Sequence, residues 1–313
     1  MIMIDKINKK IGVLCFALLV SPAWAQDPYL LVLGVAQDAG VPQAGTTDSA
    51  AWADSTLRQY ASSLGLIDPL TGERWVLDAT PDFREQLHAL DLAQPTEQRP
   101  GLAGILLTHA HIGHYLGLAQ LGREVMGANS VPVYAMPQMR RFLNSNGPWN
   151  QLIELNNIEI RELEEDQSTR LNRRLSTTPI RVPHREEYSE VVGFTIQGPS
   201  RVALYIPDID KWERWDDWGV RIEDMLGSVD VAFLDGTFFA DGELGDRDMS
   251  RIPHPFIAES MQRFSELSEY DRSKIQFIHL NHSNPVLLLD SPQRAQILQA
   301  GFGVASTGDK HAL

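Results

Sequence analysis

Short runs rich in aliphatic and β-branched residues recur along the chain. They occupy 29–36 (YLLVLGVA), 104–110 (GILLTHA), 131–136 (VPVYAM), 192–198 (VGFTIQG), 202–208 (VALYIPD), 229–235 (VDVAFLD) and 274–280 (KIQFIHL). Runs of this length that are apolar on both faces predict buried strands. Between them the spacing changes to a helical one. Leu118, Leu121 and Val125 predict a helix over 117–128, and FIAESMQRFSELSEY predicts an amphipathic helix over 256–270. Trp212, Trp215 and Trp218 recur on one face of a further helix and predict core packing, with Asp210 as its N-cap. Strands interleaved with helices in this order predict α/β layering. No repeat, low-complexity stretch or charge block interrupts 26–313, which therefore reads as a single domain.

The first 25 residues have a different character. Lys6, Lys9 and Lys10 precede the apolar run IGVLCFALLV, and Ala23-Trp24-Ala25 follows as a small-x-small cleavage site. This is the pattern of a secretory signal peptide over 1–25, cut before Gln26. The apolar run is half the roughly 20 residues a bilayer span needs, and the bulky Leu14 before Cys15 argues against a lipoprotein. The expected location is periplasmic or secreted, with no membrane attachment once the signal is removed. Cleavage removes three lysines and one aspartate, so the formal charge of −14 becomes −16. So acidic a surface repels phosphate backbones and excludes nucleic acid as a partner. A small-molecule substrate is expected instead. Cys15, the only cysteine, leaves with the signal, so the mature chain has no thiol and no disulfide.

Several of the predicted strands end at a histidine or an aspartate, and strand ends that run into loops are where polar chemistry gathers in layered sheets. The densest case is THAHIGH, residues 108–114. As the GILL strand leaves the sheet, period-two alternation sends His109 and His111 to one side, and His114 arrives from the helix that follows. Three imidazoles so close together after a buried strand predict a metal site.

This segment resembles the His-x-His-x-Asp-His signature of the metallo-β-lactamase superfamily, with Gly113 in place of the aspartate. RVPHREEYSEVVGF, ALYIPDID and FIHLNHSNP extend the resemblance, placing His184, Asp208 and His279 after successive strands. With GVAQDAGVPQ, DATPDFREQL and FLDGTFF, they are most similar to the branch that serves pyrroloquinoline-quinone biosynthesis. The resemblance implies an αββα sandwich with the site along one edge of two sheets. It also implies that His109, His111 and His184 hold one ion, that His114 and His279 hold a second, and that Asp208 bridges them. His282 competes with His279 for the last position.

Nitrogen and oxygen ligands without thiolate suit one or two zinc ions, with iron or manganese as alternatives. Hydrolysis of a small ester, lactone, amide or phosphodiester follows as the expected reaction. A role in making or carrying the quinone cofactor, or a non-catalytic metal-binding role, is the alternative. The cysteines that hold a structural zinc in that branch are missing here, with AGTTDSAAWAD in their region. His254 between two prolines reads either as packing or as a general acid for the leaving group. Asp235 is placed to hydrogen-bond a ligand histidine and set its tautomer. Gly113 leaves the second ion short of a carboxylate, for which Asp38 in GVAQDAGVPQ is the candidate replacement.

Overall fold

The computed structural model describes residues 27–313. The signal peptide expected over 1–25 and its expected cleavage point before Gln26 lie outside the described residues. All seven runs expected to be strands form strands, and with seven further strands they assemble into two sheets of seven.

The first sheet has the order β14 (Lys310–Ala312), β1 (Tyr29–Gly34), β2 (Ser63–Asp68), β3 (Glu73–Leu77), β4 (Gly104–Leu106), β5 (Val131–Ala135) and β6 (Ile158–Glu162). The second has the order β13 (Gly303–Val304), β12 (Ile275–Ile278), β11 (Val231–Asp235), β10 (Val202–Ile206), β9 (Val192–Gln197), β8 (Ser176–Arg181) and β7 (Thr169–Arg170).

Side-chain alternation explains why these strands are apolar throughout. In β1, Leu30 and Val32 enter a core shared between the sheets, whereas Leu31 and Leu33 face a core under helices α1 (Phe83–Ala93), α3 (Pro137–Ser145) and α4 (Trp149–Glu154). In β10, Ala203 and Tyr205 enter the shared core, and Leu204 and Ile206 face a third core. That core lies under α5 (Trp212–Asp216), α6 (Ile222–Leu226), α7 (Ile257–Arg263) and α9 (Pro292–Gln299). The result is the αββα sandwich. No described helix is long and apolar enough to cross a membrane.

The helices depart from the expected periodicity in three places. Instead of one helix over 117–128, α2 (Ile112–Tyr115) passes into a 3₁₀ turn over Leu116–Leu121 that stops at Gly122. Leu118 and Leu121 are buried but Val125 is exposed, because a spacing of three serves a 3₁₀ turn as well as an α-helix. Over 256–270, α7 ends at Arg263, and the Ser268 side chain caps a new helix, α8 (Glu269–Ser273). Trp212 and Trp215 are core residues, whereas Trp218 lies past the end of α5 and is half exposed. Asp210 is not the cap of α5, since Lys211 takes that position and the aspartate is engaged elsewhere.

The sheet topology places the site. Strands β3, β4 and β5 run parallel, as do β10, β11, β12 and β13. Through two antiparallel pairings each, β1 shares its direction with β3, and β8 with β10. The C-terminal ends of β1, β3, β4, β8, β10, β11 and β12 therefore open on one edge of the sandwich. Just beyond them come Asp38, Asp78, His109, His184, Asp208 and His279, with Asp235 as the last residue of β11. The two sheets are joined at this edge: Gln37 N donates to Leu280 O at 2.8 Å and Leu280 N donates to Val35 O at 2.8 Å. That staple sets Asp38 beside His279.

Candidate metal centre

Asp208 lies at the middle of the cluster and is nearly fully buried. Its Oδ2 is 3.5 Å from His109 Nε2, 3.9 Å from His111 Nδ1 and 3.9 Å from His114 Nε2. Its Oδ1 is 3.2 Å from His184 Nε2 and 3.2 Å from His254 Nδ1. Asp38 Oδ1 lies 3.4 Å from His114 Nε2 and 3.7 Å from His279 Nε2. Two groups with ligand geometry result: His109, His111, His184 and Asp208 in one, and Asp38, His114 and His279 in the other. A third, of Asp208, Asp235 and His254, adjoins them. His282 belongs to none of these groups; it is exposed and lines a separate cleft.

Four of the imidazoles are held by Nδ1 so that Nε2 turns inward. His114 Nδ1 meets Asp78 Oδ2 at 2.8 Å and His184 Nδ1 meets Asp210 Oδ1 at 3.0 Å. His109 Nδ1 and His279 Nδ1 meet the hydroxyls of Thr108 and Thr237 at 2.9 and 3.0 Å. Those hydroxyls donate onward, from Thr108 to Asp78 at 3.0 Å and from Thr237 to Asp235 at 2.7 Å. Asp235 also takes His254 Nδ1 at 2.8 Å. Two fully buried aspartates thus each orient one imidazole directly and a second through a threonine. A carboxylate acceptor on Nδ1 fixes the tautomer that leaves an Nε2 lone pair for a metal. His111 is turned the other way, with Nε2 3.0 Å from Glu187 and Nδ1 facing Asp208.

The inward atoms are a cation's donor set without hydrogen-bond partners. Nε2 of His109, His114, His184 and His279, together with Oδ1 of Asp38 and of Asp208, are all buried and unpartnered. Leaving one such atom unpaired costs about 1–3 kcal/mol. Six converging on one space are paired by divalent cations and by little else. The charges agree. Burial opposes ionisation of Asp208 and Asp38, but the neighbouring imidazoles hold both carboxyls far below their ordinary range. Burial likewise opposes protonation of His114 and His184, yet Asp78 and Asp38 push the first up to about 10, and Asp208 and Asp210 push the second up to about 10. Burial and the adjacent His114 push His109 well below its usual value. The protons on these imidazoles balance carboxylates that a metal ion would otherwise balance.

The question posed by Gly113 has a geometric answer. A Cβ built on Gly113 would lie 2.3 Å from Asp38 Oδ1 and 2.5 Å from Asp38 Cα. Asp38, with a left-handed φ of 30°, occupies the space where a side chain at 113 would be. A carboxylate from the loop after β1 thus stands where THAHIGH has none, and the missing side chain at 113 leaves the room for it. His279 and Asp78 are also left-handed, each at φ 65°. Non-glycine residues in that region cost about 1–3 kcal/mol each and cluster at functional sites.

Asp78, Thr108 and Thr237 belong to the site without having been singled out in the sequence, and Asp210, expected as a helix cap, belongs to it too. Asp78 carried a signal all the same: it follows the apolar WVL run as Asp235 follows VAFL.

A two-sheet sandwich with histidines and aspartates gathered at one edge defines a class of metal-centred proteins. Residues 73–294 match the family described as beta-lactamase superfamily domain, and the chain belongs to that family, with the metallo-β-lactamase fold. Within it the chain is PqqB-like. It is 28% identical over 305 residues to coenzyme PQQ synthesis protein B of Methylorubrum extorquens strain PA1, covering 90% of this chain and 98% of that relative. The crystal structure of Zn(2+)-bound PqqB from Methylobacterium extorquens superposes with a TM-score of 0.75 at 24% identity, covering 91% of this chain and all of that one. A diphosphatase from the PhnP family shares the fold with a TM-score of 0.61 at 23% identity, covering 91% of this chain and 97% of that one.

Proposed function

We propose that this is an exported metal-dependent hydrolase of a small ester, lactone, amide or phosphodiester. The observation that carries the reading is the convergence of six buried, unpartnered nitrogen and oxygen atoms from beyond five strand ends, those of β1, β4, β8, β10 and β12. His109, His111 and His184 would hold one zinc ion, and Asp38, His114 and His279 a second, with Asp208 between them. Iron or manganese would suit the same donors. Divalent cations at such a site supply Lewis acidity and a water acidified toward neutral pH. The chain's own groups do the rest. Asp78 and Asp235 hold the imidazole tautomers. His254 is tied by Nδ1 to Asp235 and lines a cleft, so its Nε2 is the nitrogen available to protonate a leaving group. Burial works against a charged His254, but Asp235 and Asp208 outweigh it and raise its pKa, which favours the acid form.

Metal analysis of the purified protein and a panel of aryl esters, lactones, β-lactams and phosphodiesters test the reading. At least one tightly held transition metal per chain is expected, with turnover of one substrate class. Protein that is metal-free after gentle purification and takes up no zinc in titration would refute it. Asp78→Ala should weaken zinc binding by about 10–100-fold, the usual cost of losing a group that orients metal ligands. Competition with a chromophoric chelator reads this out, and unaltered affinity would mean that Asp78 serves only the fold.

A second reading, a part in making or carrying the quinone cofactor, is favoured by the similarity to coenzyme PQQ synthesis protein B along 98% of that protein's length. Export separates the two, since the cofactor pathway is expected in the cytoplasm. Expressed from its full sequence, the protein should be recovered from the periplasm with Gln26 at its N-terminus. Cytoplasmic protein that retains Met1 would favour the biosynthetic role.

A further inference from the structure

A cleft of about 510 Å³ opens beside His254 and is lined by four arginines, Arg185, Arg214, Arg247 and Arg251. On a chain with 41 acidic against 27 basic residues this is a local reversal of charge. Asp210 is the one carboxylate in the lining, and both its oxygens are engaged, one by His184 at 3.0 Å and one by Arg214 at 2.6 Å. Arg185 has only a 3.9 Å contact with Glu187 at the rim. Arg247 and Arg251 form no ion pair with any described acidic residue. Asp246 and Asp248 flank Arg247 in sequence but do not line the cleft, and Asp248 accepts a hydrogen bond from Ser250 N.

The two arginines are mounted on a built segment. Between β11 and α7 the chain makes a small core of Phe238, Met249 and Phe256, packed with Leu244 and Ile252. Glu243 pins it twice, accepting from Phe239 N at 2.8 Å and from Ser283 Oγ at 2.6 Å. Met249 is buried in that core, and Arg247 and Arg251, two residues to either side, line the cleft. Arg247 and Arg251 are exposed, and unpaired guanidinium groups lining a cleft beside a reaction centre are forked donors for carboxylate or phosphate oxygens. On an acidic molecule, such a cleft is the place where an anion is favoured.

We infer that Arg247 and Arg251 form an anion subsite, which holds a carboxylate or phosphate group of a small substrate while its scissile bond lies toward His254 and Asp208. The inference rests on the hydrolase reading for the scissile end alone. A cleft of this volume takes a small molecule, and the acidic surface around it discourages a polyanion.

The test uses the zinc-loaded mature protein and three 4-nitrophenyl esters of matched length: glutarate monoester, 4-phosphonobutanoate and hexanoate. The anionic esters should have the lower KM. In Arg247→Ala/Arg251→Ala, the ratio of the hexanoate KM to the anionic KM should fall by about 10–100-fold, the scale of one or two charge-assisted hydrogen bonds. Arg247→Lys/Arg251→Lys should recover part of it. Arg161→Ala, on β6, should not move the ratio. A tighter phosphono ester assigns phosphate, and a tighter glutarate ester assigns carboxylate. A ratio within twofold of the unaltered protein's in the double alanine variant would overturn the subsite. Calorimetric binding of glutarate and 4-phosphonobutyrate keeps the two readings apart. If no ester is hydrolysed, the ester branch of the hydrolase reading fails, and a tenfold or greater loss of anion affinity in the double variant still upholds the subsite. Equal affinity in both proteins refutes it.

Discussion

Gly113→Asp is expected to cost the protein its second zinc ion and at least about 100-fold in kcat/KM, although the substitution recreates the usual family motif. A Cβ at 113 would lie 2.3 Å from Asp38 Oδ1 and 2.5 Å from Asp38 Cα, the second of these a backbone atom that cannot swing aside. The loop after β1 would have to move, and it is tied to Leu280 by two backbone hydrogen bonds next to His279. A third carboxylate would also enter a space that already holds Asp38 and Asp208, where like charges repel. Asp38→Ala should lose the same ion by the simpler route of removing a ligand. The decisive variant is the exchange, Asp38→Gly with Gly113→Asp. It removes the obstruction, suits the left-handed backbone at 38, and returns a carboxylate from the other side. Zinc stoichiometry by mass spectrometry should read one, one and two ions for the three variants. Two ions in Gly113→Asp alone would show that Asp38 and position 113 do not compete.

Asp208→Asn should empty the whole centre and lower kcat/KM by about 1,000-fold or more. Its two oxygens lie between 3.2 and 3.9 Å from nitrogens of five histidines, and no other carboxylate faces both groups. The amide keeps the shape but removes the charge, and the five imidazoles around it lose the one carboxylate that all of them face. Loss of the buried anion from a coupled cluster costs far more than an exposed pair, which is worth about 0–1 kcal/mol. Metal content and turnover should fall together. His282→Ala is the matched control, because its side chain is exposed and outside all three ligand groups. Retention of both ions by Asp208→Asn would remove the bridging role.

The strands and the chemistry at their ends could be read directly from the chain. Burial on two faces forces a nearly unbroken apolar run, and a polar residue just past such a run marks the place where it leaves the sheet. For that reason β1, β4, β5 and β9 to β12 were legible, and so were His109, His184, Asp208, Asp235 and His279 as strand-end residues. Helices were less legible, because a spacing of three at Leu118 and Leu121 does not distinguish a 3₁₀ turn from an α-helix, and a short α5 strands Trp218 outside the core. Asp210 illustrates a further limit. An aspartate before a helix is read as its cap by local rules, yet here its oxygens go to His184 and Arg214, of which the first comes from another strand.

The pairings across the edge belong to the tertiary structure. THAHIGH shows that a carboxylate is missing but not where its replacement comes from. Asp38 is 75 positions away and meets Gly113 only because β1 and β4 point the same way and the loop is stapled to Leu280. Asp78 serves His114 for the same reason, through the parallel register that sets Leu77 opposite Leu106. Arg247 and Arg251 look like ordinary surface charges until the small core around Met249 sets them in the lining of the cleft beside His254. Spacing along a chain is a local quantity that backbone geometry converts into a face. Proximity between distant segments depends on sheet order and register, which are settled by the packing of all the strands at once.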